Sequence, residues 1–378
     1  MKRSRSRGYR IALFSVVVAA LLVATGCTDF SEQDKQSRAG TFSSEPKLVP
    51  APASTPPPQV ETESPPPPGP CVDPDPNVIT TCLASTGDLA PGDIQGNSTV
   101  VAERTTGKII TAKRYSEHKV VASFDVDGSG DGGLIAFAKS PTYGQDQLIY
   151  ALITTPSDNR VVRVAPGDVA KPILVGIPKG PTGNMGAMFF NSPNELIVAT
   201  GNTGNAAAAR DPGSLAGKLL SITSLTSGSN ARPKVLASGL GSNVSLCPSA
   251  TTSNLYLADQ TATEDRLSAV SKSGLKPLWT WPDKPQIAGC ATANNAIFVT
   301  TTRTKHIEAL KEPSAANPSV QKPTVILRNQ YGALGRITSL PNGLLQFATV
   351  NKQYGKAVST DDRVVKFMAP ATPPDSRD

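Results

Sequence analysis

Asp125-Val-Asp-Gly-Ser-Gly-Asp131 sets side-chain oxygens at its first, third and fifth positions, the spacing of a calcium-binding loop. Its twelfth position is Ala136, where a helix-loop-helix site needs a bidentate glutamate, and no helix is expected on either side. A solvated turn is the competing reading. Both histidines, His118 in Ser116-Glu-His-Lys119 and His306 after Arg303-Thr-Lys305, lack a second metal ligand or a nucleophile nearby, so both are expected at the surface. Glu103-Arg104 reads either as a ligand contact or as an ion pair between neighbouring units, and Asp259 carries the same ambiguity. Trp279 and Trp281 have faces that could stack on a sugar or pack between sheets. No CxxC, Walker loop, HExxH or GxSxG occurs, which removes the commonest zinc, nucleotide and serine-hydrolase signatures.

Cysteine is the other reactive residue. Cys27 ends Val23-Ala-Thr-Gly-Cys27, behind an apolar run from Ile11 and a flank bearing Lys2, Arg3, Arg5, Arg7 and Arg10. The apolar core is shorter than the ~20 residues a bilayer span needs, so residues 1–26 read as a secretory leader. The small residues before Cys27 resemble a bacterial lipobox, which implies an acylated cysteine at the mature N-terminus, with export and attachment to the outer face of a membrane. Multiple acyl chains hold stably where one holds marginally. Export agrees with the remaining four cysteines, an even number expected to form two disulfides, Cys71 with Cys82 and Cys247 with Cys290.

These residues must be positioned by the elements around them. Of the 378 residues 37 are basic and 30 acidic, but five of the basic ones lie in the leader, leaving 32 against 30. A near-neutral mature chain offers no electrostatic footprint for nucleic acid. Residues 27–80, with Pro56-Pro-Pro58 and Pro65 to Pro68, read as a disordered Pro-rich tether, and residues 371–378 as a disordered tail. Between them, residues 81–370 repeat one pattern: an apolar strand, a Pro or Asn turn, then a second strand. The turn markers Pro141, Pro193, Pro248, Asn294 and Pro341 lie 52, 55, 46 and 47 residues apart. With a further unit over Val100–Val121, this predicts an all-β, six-bladed β-propeller, closed by pairing an N-terminal strand with the last blade. A β-sandwich is the structural rival, but it would be unusually long.

Several segments in that frame resemble the soluble glucose/sorbosone dehydrogenases, six-bladed quinoproteins that bind pyrroloquinoline quinone (PQQ) and calcium. They are Val101-Ala-Glu-Arg-Thr-Thr-Gly-Lys-Ile109, Gly132-Gly-Leu-Ile-Ala-Phe-Ala-Lys-Ser-Pro141, Gly201-Asn-Thr-Gly-Asn205, Leu215-Ala-Gly-Lys-Leu-Leu220 and Trp279-Thr-Trp-Pro282, in the family's order. Leader, spacer and propeller together resemble actinobacterial envelope lipoproteins. The resemblance implies PQQ, calcium and sugar oxidation, but three motifs depart from it. Pro181-Thr-Gly-Asn-Met-Gly186 puts Gly183 or Asn184 where the family has its base histidine, and neither can accept the hydroxyl proton. Gly239-Leu-Gly-Ser-Asn243 lacks the cofactor arginine, and Asp265-Arg266 replaces an acidic pair near the family's calcium. The expectation is therefore a non-catalytic binding or scaffold module with no assigned catalytic, cofactor or metal residue. Glu103, Arg104, Asn184, Asn205 and Asp259 are its candidate ligand contacts. An envelope glycan, a small ligand or an envelope protein would be the partner, beside the membrane reached through Cys27.

Overall fold

Six four-stranded antiparallel sheets stand around a common axis, each packing its face on the next. The computed structural model describes residues 66–370, apart from 229–231, 250 and 316. Cys27, the leader, most of the tether and the C-terminal tail lie outside the described residues. The innermost strands of blades one to six are Thr86–Pro91, Leu134–Lys139, Ala187–Ser192, Val244–Pro248, Ile287–Ala293 and Leu334–Ser339. Strands covered by sheets on both faces become continuous apolar runs, as in Ile149–Thr154 of blade two, buried throughout. Outermost strands such as Lys119–Ser123 are largely uncovered and carry more polar residues.

Ring closure follows the expected route. Val78–Thr80 supplies the outermost strand of blade six, pairing antiparallel with Val364–Met368, with Val78 opposite Val365. Val78 and Ile79 are each 2% exposed, so this short strand, inside the segment read as tether, belongs to the folded core. Both expected disulfides are present. Cys71–Cys82 brackets the closing strand, and Cys247–Cys290 clips the inner strands of blades four and five, with Cα atoms 5.5 Å apart. Gly289 allows blade five to approach blade six closely: a Cβ there would lie 2.9 Å from Arg336 Cα. Among the described residues no helix is long and apolar enough to cross a membrane.

Candidate functional site

The six inner strands all start on one face of the ring, where the turns between second and third strands also gather. Leu134 N donates to Arg104 O and Val244 N to Met185 O, so successive blades are laced together at this mouth. The third-blade mouth is organised by a carboxylate. Asp131 Oδ2 accepts from Gly183 N (2.6 Å), and Asp131 Oδ1 accepts from Asn184 N (3.1 Å) and Asn184 Nδ2 (2.6 Å). Asn184 Nδ2 also donates to Gly180 O, while its Oδ1 accepts from Asn159 Nδ2 and Gly180 N, both at 3.0 Å. Asn184 is only 2% exposed. A buried amide with every donor and acceptor engaged is a fixed structural group with no free valence for a ligand.

The axial channel holds a feature the sequence reading missed. A bulge at Gly335-Arg336 turns Arg336 inward from blade six, and its guanidinium donates to Ala288 O of blade five (2.6 Å) and Gly186 O of blade three (2.7 Å). One side chain thus ties three blades, reaching the one opposite its own. Asp88, at the corresponding bulge of blade one, is its counter-charge. Burial pushes the Asp88 carboxyl up to about 6 although Arg336 opposes the rise. Burial also lowers the Arg336 guanidinium to about 10, so it stays cationic at neutral pH. The one available signal was a glycine-arginine pair inside an otherwise apolar strand.

The family model for glucose/sorbosone dehydrogenase matches residues 92–246. The chain is similar to the PQQ-bound aldose sugar dehydrogenase from Streptomyces coelicolor at 25% identity, covering 76% of this chain and 95% of that one, with a TM-score of 0.67. It is also similar to the apo-form of the soluble aldose sugar dehydrogenase from Escherichia coli, at 16% identity over 77% and 99% of the two chains, TM-score 0.64. No curated protein matches the chain. The fold is that of the soluble glucose dehydrogenases.

Several residues sit differently from expectation. Glu103 closes the second strand of blade one, not an inner strand, and makes no ion pair with Arg104. Its carboxylate accepts from Ala84 N and Thr106 Oγ1. The Arg104 guanidinium donates to Gly132 O at the mouth of blade two and, at 2.8 Å, to Gln353 Oε1 of blade six, so it laces the rim across two seams. Asp259 is fully buried and holds Arg266 at 2.7 and 2.9 Å while accepting from Gly241 N. Asn205 caps the short helix Ala206–Arg210 through Ala207 N and Ala208 N. Glu103, Arg104, Asn184 and Asp259 are engaged within the protein, while Asn205 is exposed with only its Oδ1 serving the helix cap.

His306 is buried, correcting its expected surface position. Its Nε2 lies 3.0 Å from Glu308 Oε1, and Glu308 Oε2 accepts from Trp281 Nε1 at 2.6 Å, which joins blades four and five. Trp281 therefore packs between blades and offers no open face. His118 stays exposed on the outer rim, bonded to Thr80 Oγ1. Neither imidazole reaches the third-blade mouth. The carboxylates of the calcium-like loop diverge: Asp127 pairs with Lys179 and Asp131 holds the next blade. Among the described residues no group of three or more metal-ligating side chains converges.

PQQ is a flat tricarboxylate, so a site for it needs cations with free donors. Arg104, Lys179, Arg266 and Arg336, ranged around the mouth and channel, each already serve protein acceptors. Arg336 alone among them keeps a buried donor without a partner, its Nε, so the engaged guanidiniums and ammonium leave little for three carboxylates, and no converging ligand set among the described residues fits calcium.

Proposed function

We propose that the protein is an envelope lipoprotein of the actinobacterial kind, acylated at Cys27 and exported to the outer face of the membrane. Its quinoprotein-like propeller serves as a non-catalytic binding or scaffold module. The observation that carries the reading is the third-blade mouth, where Gly183 and Asn184 stand in place of a histidine base and both donate to the Asp131 carboxylate, engaging its oxygens in holding the loop. A rigid rim of loops on a six-bladed ring suits recognition of an envelope glycan, a small ligand or another envelope protein.

The second reading, a PQQ-dependent aldose dehydrogenase, is favoured by the likeness to a PQQ-bound sugar dehydrogenase at 25% identity. The two separate in one measurement. Full-length protein mixed with PQQ and calcium should keep its melting temperature, whereas a ligand at about 100 times its dissociation constant would add about 2.7 kcal/mol of stability. A clear upward shift, joined by dye reduction with glucose, would establish the dehydrogenase. Anchoring is tested apart: C27S should move the protein from the membrane fraction to the medium, and an unchanged distribution would refute acylation at Cys27.

A further inference from the structure

The two disulfides live in opposite environments. Cys247 and Cys290 are 0% and 2% exposed inside the core between blades four and five. Cys71 is exposed and Cys82 half-buried, and both line an outer cleft of about 480 Å³ with Lys113, Tyr115, Glu117 and His118. Both cysteines also hold positive φ, 65° and 55°, a left-handed backbone that residues with a Cβ adopt only when constrained. The bridge encloses Val78–Thr80, the strand that closes the ring.

We propose that Cys71–Cys82 is a thiol–disulfide exchange site for a dithiol reductant. A thiolate of the reductant attacks Cys71 Sγ, forming a mixed disulfide as the Cys71–Cys82 bond breaks and Cys82 departs as thiolate. Cys82 then takes up a proton. The second thiolate of the reductant attacks its own sulfur in the mixed disulfide, leaving Cys71 as thiolate and the reductant as its cyclic disulfide. Two electrons pass from the dithiol to the protein. Lys113 supplies positive charge that favours approaching and departing thiolates, against the exposed Glu117 carboxylate in the same cleft. Ser359 O lies 3.3 Å from Cys82 Sγ, placed to accept from the new thiol.

Reduction would loosen the seam without opening the ring. Asp73 still pairs with Arg363 (3.0 Å), Tyr331 still donates to Asp75 (2.7 Å), and Val78 and Ile79 stay in the core. The change therefore falls on residues 71–82, next to the segment that leads to the leader.

The test is timed alkylation of full-length protein in dithiothreitol at neutral pH, mapped by peptide mass. Cys71 and Cys82 should label at least about ten-fold faster than Cys247 and Cys290, at reductant levels that leave the melting transition cooperative. K113Q should slow that labelling several-fold with the melting temperature unchanged. Hydrogen exchange should rise over Val78–Thr80 and stay constant in the other blades. Equal rates for the two bridges, labelling that tracks global unfolding, or a K113Q rate equal to wild type would overturn the proposal.

Discussion

R336M should lose about 2–5 kcal/mol of folding stability, because two buried carbonyls lose their donor and the Asp88 carboxyl loses a nearby opposite charge. Two separate losses add. Ala288 O and Gly186 O are left without their donor in a channel that methionine makes drier, and a buried unsatisfied carbonyl costs about 1–3 kcal/mol. Asp88 also loses the only charge that restrains its carboxyl against burial, so it must stay protonated to higher pH. R336K would restore charge without the planar fork that reaches two blades, and should recover only part of the loss.

A second substitution apportions the effect. D88N removes the charge while leaving an oxygen for Leu89 N, which Asp88 Oδ1 accepts at 2.9 Å. If the charge interaction dominates, R336M/D88N should be more stable than R336M alone, with a coupling of about 1–3 kcal/mol in a denaturation cycle. If the carbonyls dominate, D88N adds nothing to R336M. Urea denaturation monitored by Trp279 and Trp281 fluorescence reads both. A wild-type midpoint for R336M would remove the guanidinium from any role in closing the ring.

How far the sequence carried the structure depends on the range of the interaction. Strand, turn, strand is a local rhythm, so Pro141, Pro193, Pro248, Asn294 and Pro341 mark real turns and the sixfold architecture could be read from them. Ring closure and both disulfides were legible because edges must be covered and an even set of cysteines without a metal motif is expected to pair. The mouth was harder. Gly183 and Asn184 were found through a departure from a motif, yet what occupies them, the Asp131 carboxylate, lies 53 residues away from Asn184. His306 sits two residues from Glu308, so their pairing was within reach, but the Trp281 indole that donates to Glu308 comes from blade four, 27 residues away. Arg336 reaches Gly186 O across an axis that no periodicity encodes. Charged residues on inner strands next to glycine are the signal worth weighing in such chains.

Asp362 should make the fold lose stability as pH rises from about 4 to about 6. Its side chain is fully buried, and Oδ1 accepts from Asn351 N at 2.7 Å while Oδ2 has no partner. Burial raises its carboxyl to about 6; the Asn351 and Lys352 amides work against the rise, and the neighbouring Asp361 adds to it. A folded-state value above the unfolded one means that the native state binds the proton more tightly. The stabilising contribution is complete below the unfolded value of about 4, drains between 4 and 6, and is gone above. Two pH units correspond to about 3 kcal/mol, from which a deleted charge recovers part, because an asparagine amide there brings donors of its own. D362N should therefore match or slightly trail wild type at pH 4 and exceed it by about 1–3 kcal/mol at pH 7.5. Denaturant midpoints at the two pH values measure the difference directly. Curves that stay parallel between pH 4 and pH 7.5 would mean that Asp362 is ionised throughout, its charge met by the Asn351 and Lys352 amides alone.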